Sequence, residues 1–235
     1  MLEPGSVLGE IGNRAYMVLN YPDTGAEIYS TDCNSVELLF DLNPAGHGVG
    51  AAIVANGSIV FSGNEGNGQR GLWISDGTAT QPRLLAAFPD STYVNSPQRL
   101  VFDGADNVWF VACTIADLCQ FYTVNLTTES VIPVTVSQVT GSQNLFLVAA
   151  TANGMLAWRR NSVTGMEPVI LSGTNMSTIG DLFPGADGSA SASSFDRHAR
   201  MANGDILFAA RVSSTLTAMF RSDGTAVGTV KFWPV

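Results

Sequence analysis

An all-β fold built from repeated four-stranded sheets follows from three features of the sequence: its composition, a unit that recurs along the chain, and a turn motif written twice. Hydrophobic residues make up 46% of the 235 positions and charged residues only 13%, with 24 Gly. Such a chain has the apolar content for a sizeable core and is not disordered. Long solvated helices carry more Lys, Glu and Arg on their outer faces. Short strands joined by many turns fit better.

The unit is read from five opening segments, each an apolar run after a Gly- or Asn-rich turn: NRAYMVLN from Asn13, GSIVFSGN from Gly57, DNVWFVAC from Asp106, GMLAWRRN from Gly154 and GDILFAAR from Gly204. A second run follows each: AEIYSTD, GLWISDGT, CQFYTVN, EPVILSGT and AMFRSDGT. A third follows that, as in VELLFDLNPAG and PRLLAAFPD, and a weaker fourth precedes the next repeat, as in GAAIVA, PQRLVFD, NLFLVAA and SFDRHARM. Four short strands repeated at this interval predict the blades of a β-propeller. The chain reads as one domain over 1–235, with repeats beginning near 13, 57, 106, 154 and 204. The opening LEPGSVLGEI reads as the strand missing after the final VKFWPV. The N-terminal strand is therefore expected to complete the last blade and remove an open sheet edge. The first residues resemble the middle of a repeat, so a domain cut from a larger protein is expected.

The tetrapeptide SDGT at 75–78 and 222–225 sits where one strand reverses into the next. Asp76 and Asp223 can accept from their own downstream backbone, Gly77 and Gly224 supply positive φ, and Thr78 and Thr225 return the chain to β geometry. The motif drifts to TDCN at Asp32 and SGT at Ser172. A turn tolerates such drift and a catalytic carboxylate does not, so its role is structural.

The stretches GLWISDGTATQPRLLAAFPD and AMFRSDGTAVGTVKFWPV, with FDLNPAGHGVG and GDLFPGADGSAS, resemble the bacterial ELWxSDGTxxGTxLLxDIxPG repeats. The resemblance spans nearly the whole chain, is strongest in the second and fifth repeats, and is weakest in the third. It implies a propeller in an extracellular or cell-surface setting and supplies no catalytic residues.

Composition excludes some partners. A net charge of −9 with 11 Lys and Arg cannot neutralise a row of phosphates, so nucleic acid is not expected. No apolar run is long enough to span a membrane, and MLEPGSVLGEIG lacks the features of a signal peptide. Cys113 and Cys119 flank a turn around Ala116–Asp117 and could form a hairpin disulfide; two buried thiols are the alternative. No cofactor is expected, although Asp-bearing turns at 184–191 and 102–107 could offer oxygen ligands to a structural calcium ion.

Catalysis finds little support. Glycosidases place two carboxyl groups about 5–10 Å apart. The strands that open each repeat, expected to be innermost, are poor in carboxylates. Asp106 and Asp205 lie at strand starts, and Glu27 and Glu167 recur just before the second strand, which points to architecture. His47 and His198 sit in polar connections. Binding is the remaining option: Asn20, Asn64, Asn161 and Arg211 close the opening strands, with Arg160 beside them, and could form repeated polar subsites. Trp73, Trp109, Trp158 and Trp233 are expected in the core. The expected function is a non-enzymatic recognition or adhesion module, lectin-like, with a glycan, another surface polymer or a protein as partner. A protein–protein scaffold and a glycoside hydrolase-like enzyme are the alternatives.

Overall fold

The structure is a computed structural model that describes residues 6–78, 81–88, 97–113, 118–135, 139–140, 144–185, 188–190 and 198–233. It is all-β, with five antiparallel sheets among the described residues. The first holds β1 (Ser6–Ile11), β2 (Arg14–Tyr21), β3 (Gly25–Thr31) and β4 (Val36–Phe40); the second holds β5 (Val49–Ala55), β6 (Ser58–Asn64), β7 (Arg70–Ser75) and β8 (Arg83–Ala87). The third holds β9 (Gln98–Phe102), β10 (Asn107–Cys113), β11 (Leu118–Asn125) and β12 (Val131–Pro133), with a short β13 (Val139–Thr140) also paired to β11. The fourth holds β14 (Leu145–Thr151), β15 (Gly154–Asn161), β16 (Gly165–Ser172) and β17 (Asn175–Thr178); the fifth holds β18 (His198–Arg200), β19 (Ile206–Arg211), β20 (Thr217–Ser222) and β21 (Val230–Trp233). In each sheet the four strands pair in chain order. This is the predicted five-bladed propeller with four-stranded blades.

The predicted closure differs. β1 pairs with β2, from Ser6 opposite Val18 to Ile11 opposite Arg14, and the fifth sheet takes its first strand from β18. The turn before the second repeat shows the same local pairing. Asn56 and Gly57, at φ 47 and 75, form a two-residue hairpin that ties β5 to β6. Positive φ at both central residues gives a turn whose twist matches that of the flanking strands. The weaker fourth element of each repeat is thus the first strand of the next sheet. The strands that open the repeats, β2, β6, β10, β15 and β19, are interior strands rather than innermost edges.

The chain divides into two compact units, 1–117 with 124–131 and 118–123 with 132–235. In the first, Tyr16, Val18, Ile28 and Phe40 share one face of the first sheet, because each pair of opposed residues projects the same way. They pack on Ile59, Phe61 and Trp73 of the second sheet, with Phe40 stacked on Phe61 at 5.6 Å between centroids. In the second unit, Leu156, Trp158 and Ile170 of the fourth sheet meet Ile206, Phe208 and Phe220 of the fifth. Trp158 stands edge-on to Phe208 at 5.6 Å, an arrangement favoured by the ring quadrupoles.

The SDGT turns lock these seams. Asp76 Oδ1 accepts from Thr78 N at 2.9 Å and from Thr78 Oγ1 at 2.6 Å; Asp223 Oδ1 accepts from both Thr225 groups at 2.8 Å. These bonds hold both carboxyls below the usual range. Each turn is also gripped by the preceding sheet. Tyr16 Oη donates to Gly77 O at 2.9 Å, and Asn153 Nδ2 donates to Asp223 O at 2.9 Å. Gly77 has φ +80, and a Cβ there would collide with Tyr16 Oη; Gly224, at φ +92, would collide with Thr151. In the first sheet Asp32 Oδ1 accepts from Asn34 N and Ser35 N, which lowers its carboxyl to about 2. Cys33 takes the glycine position at φ 71. Cys113 and Cys119 are disulfide-bonded, as one reading of the spacing had it, while Cys33 is free and exposed. The turn predicted around Ala116–Asp117 lies outside the described residues.

Gly77→Ala is expected to cost about 2 kcal/mol or more, through strain and collision together. Tyr16→Phe should cost about 1 kcal/mol, and Cys33→Gly should gain about 0.5 kcal/mol by relieving the left-handed residue. Urea unfolding measures all three. A Gly77→Ala variant as stable as the parent would show that the turn is not gripped.

Candidate functional site

The register separates the five residues expected to form repeated subsites. Asn20 lies opposite Ala26 one pair before the end of its hairpin, whereas Asn161 lies opposite Gly165 at the final pair. Tyr21 is the counterpart of Asn161, and Arg160 that of Asn20, so the three Asn do not form a ring of equivalent positions. Asn64 Oδ1 accepts from Gly66 N at 3.1 Å and Asn161 Oδ1 from Val163 N at 2.7 Å. Both are turn-formers. Arg160 Nε donates to Asn144 Oδ1 at 2.9 Å, and the Arg211 guanidinium lies over the Phe183 ring at 5.2 Å from its centroid. Each is committed locally. Of the four tryptophans, Trp73, Trp109 and Trp158 are buried as expected, but Trp233 is 61% exposed.

Asn20 lines a hollow of about 430 Å³ in the first unit, with Tyr21, Pro22, Asp23 and Gly25 of the β2–β3 hairpin and Pro44–His47 of the connection to β5. The walls are held from behind. Ala26 N donates to His47 Nδ1 at 3.1 Å, which fixes the ring and leaves Nε2 for a ligand. Asn43 Nδ2 donates to His47 O at 3.2 Å. The Tyr21 ring rests 5.1 Å from that of Tyr29, whose hydroxyl meets Thr24 Oγ1 at 2.9 Å. One aromatic ring, an imidazole edge, an amide and a carboxylate thus surround a hollow open to solvent. A second hollow, of about 310 Å³, lies beside the first SDGT turn and is lined by Ser75, Asp76, Gln81, Arg83 and Glu129. Its Arg83–Glu129 pair is two-pronged and exposed. Exposed pairs contribute little to stability.

The connection that walls the first hollow hangs on a buried carboxylate. Glu27, fully buried on β3, accepts from Leu42 N at 3.3 Å. Burial first, and the nearby Asp41 charge second among the raising causes, push its carboxyl up to about 7. Glu167 repeats the arrangement in the fourth sheet. It accepts from Leu182 N at 3.0 Å, from Ser189 N at 2.7 Å and from Ser189 Oγ at 2.5 Å, with burial raising its carboxyl and Asp181 adding to the rise. The spacing of fourteen residues from Glu27 to Asp41 and from Glu167 to Asp181 is the legible trace of this device in the sequence. A carboxyl near pKa 7 suits general acid chemistry, but this one faces backbone amides inside the protein.

Other expected chemistry is committed to turns. Asp106 Oδ1 accepts from Asn56 Nδ2 at 3.2 Å, and Asp205 Oδ2 from Asn203 Nδ2 at 2.9 Å. In the 102–107 turn Asp103 Oδ1 accepts from Ala105 N and Asn107 N, and Oδ2 from Asn107 Nδ2. Part of the 184–191 turn lies outside the described residues. Among the described residues no three of His, Cys, Asp and Glu gather as metal ligands, and no helix is long and apolar enough to cross a membrane.

No family model matches the chain, and no curated protein matches it. Solved structures do. The β-propeller domain of the Trilobed protease from Pyrococcus furiosus, described as having an open velcro topology, matches at TM-score 0.60 and 11% identity, over 94% of this chain and 69% of that one. A structure from a study of two prolyl endopeptidases matches at 0.61 and 10%, over 99% and 36%. TolB from Acinetobacter baumannii matches at 0.56 and 12%, over 96% and 53%. The chain therefore spans about half of TolB and about a third of the endopeptidase. At these identities the likeness is one of fold. The expected glycan-binding adhesion module is corrected to this extent: the similar structures include propeller domains of peptidases and a glycoside hydrolase, and what this chain shares with them is the propeller fold.

The raised Glu27 carboxyl makes stability depend on pH. Its folded pKa, about 7, lies above the unfolded value of 4.5, so the native state holds more protons between these limits. This contribution is fully present below about pH 4.5 and is lost as pH rises through 7. Glu27→Gln is expected to flatten that slope and to match or exceed the parent in melting temperature at pH 8. A variant much less stable than the parent at pH 8 would show that the fold needs the charged form.

Proposed function

We propose that this chain is the propeller portion of a peptide-hydrolysing assembly, in which it holds or admits peptide and leaves cleavage to another part. The observation that carries this reading is the pattern of coverage. Almost the whole chain corresponds to about a third of a prolyl endopeptidase chain and to most of a protease propeller domain. The residues agree with a holding role. His47 Nδ1 is occupied by Ala26 N, and Glu27 is enclosed by the connection it anchors. The hollow around Asn20, Tyr21, Asp23 and His47 offers what an extended peptide needs, a ring for an apolar side chain and polar groups for main-chain amides.

The test uses the chain alone with a panel of fluorescein-labelled peptides, read by anisotropy, and with aminoacyl- and prolyl-coumarin amides, read for cleavage. Binding without cleavage is expected, in the range between roughly 1 mM and 1 μM that suits a small open site. Tyr21→Ala and His47→Ala should each weaken it several-fold while leaving the melting temperature unchanged. Cleavage by the chain itself, or binding to none of the peptides, would overturn the reading.

A further inference from the structure

We infer that the hollow around Asn20, Tyr21, Asp23 and His47 selects ligands that carry a cationic group, the side chain of a lysine or arginine or a free amino terminus. This rests on the reading of that hollow as the peptide site and names what it prefers. The inference starts from which polar groups are already engaged. Elsewhere the turn carboxylates are: Asp32, Asp76, Asp103 and Asp223 each accept from a residue two positions on. Asp23 sits in a comparable place, between the end of β2 at Tyr21 and the start of β3 at Gly25. Yet it forms no hydrogen bond and no ion pair with the rest of the chain. The side-chain amide of Asn20 is likewise unengaged, whereas Asn64 and Asn161 accept from their own turns.

The backbone beside Asp23 offers acceptors rather than donors. Ala45 N donates to Asn43 Oδ1 at 3.2 Å and Gly46 N to Asn43 O at 2.9 Å, while Pro22 and Pro44 have no N–H. Gly25, at φ +70, comes so close to Gly46 that a Cβ would strike its carbonyl oxygen, so the two walls of the hollow meet there. Formal charge points the same way. The lining holds no Lys or Arg, and Asp23 is its one carboxylate. His47 Nδ1 accepts from Ala26 N, so the ring keeps its proton on Nε2 and adds no positive charge. The Tyr21 ring supplies an aromatic face, which attracts cations through its quadrupole. A net charge of −9 draws cations toward the chain from a distance. An unengaged carboxylate, an aromatic ring and carbonyl oxygens together suit an ammonium or guanidinium group and disfavour a carboxylate.

The test is anisotropy with a matched set of rhodamine-labelled peptides, blocked at both ends, that differ at one central residue: Lys, Arg, norleucine or Glu. A norleucine peptide with a free amino terminus separates the two sources of positive charge. The cationic members should bind roughly five- to tenfold more tightly than blocked norleucine, with the Glu peptide weakest. High salt should shrink the advantage. Asp23→Asn should bring the Lys peptide to within about twofold of norleucine, with norleucine affinity and melting temperature unchanged. Equal affinity of the parent for Lys, Arg, free-amine and blocked norleucine peptides would overturn this inference and leave the peptide site standing. Selectivity that survives Asp23→Asn would also overturn it. Binding to none of the peptides would overturn both.

Discussion

A four-stranded antiparallel sheet that is apolar on both faces cannot stand alone in water, and the rest of this structure follows from that constraint. Three or four short strands bury too little surface on one side to offset the entropy of ordering them. Stacking sheets face to face supplies the second side, as in other repeat architectures where each unit contacts only its neighbours. The rows Tyr16, Val18, Ile28 and Phe40 in one unit, and Leu156, Trp158 and Ile170 in the other, are the working form of this rule. Each meets aromatic residues of the following sheet.

Seams of apolar side chains are slippery along the strand, and polar groups at their ends fix the register. Tyr16 reaches Gly77 O and Asn153 reaches Asp223 O, so a turn on one sheet is held by its predecessor. Glu27 and Glu167 work at the next junction, where the chain leaves one sheet for the following one. A buried carboxylate that collects backbone amides binds a connection with no strand of its own. In the fourth sheet Ser189 completes the set of donors. In the first sheet Gly48, whose N donates to Ala26 O as Ser189 N donates to Met166 O, stands at the corresponding position and brings no hydroxyl to Glu27.

These structural duties explain why so many residues with chemical potential are not free for chemistry. Asp76, Asp103, Asp106 and Asp223 accept from turns, Asn64 and Asn161 start them, and Glu27 and Glu167 lie inside. Among the described residues the hollow at the first hairpin stays open to solvent, and there Tyr21 and His47 are braced by Tyr29 and Ala26 rather than consumed. Binding can be added to such a rim without disturbing the seams beneath it.

The sequence by itself determined the class of fold, the repeat and its turns. Those depend on local chemistry: alternating apolar runs, Gly at positive φ, and Asp accepting from residues two positions on. The Cys113–Cys119 spacing was legible for the same reason. Strand partnership was less so. Whether LEPGSVLGEI closes the last sheet or opens the first depends on which neighbour it meets, and the local hairpin turn decided for the first. The candidate ring of Asn20, Asn64 and Asn161 failed on a shift of one residue, which alignment by eye does not detect but strand pairing does. Burial was decided only in three dimensions. Trp73, Trp158 and Trp233 look alike in the sequence, yet two are covered by a neighbouring sheet and the third is not. Local interactions are written in the order of residues; what covers a sheet face is a property of the assembled chain.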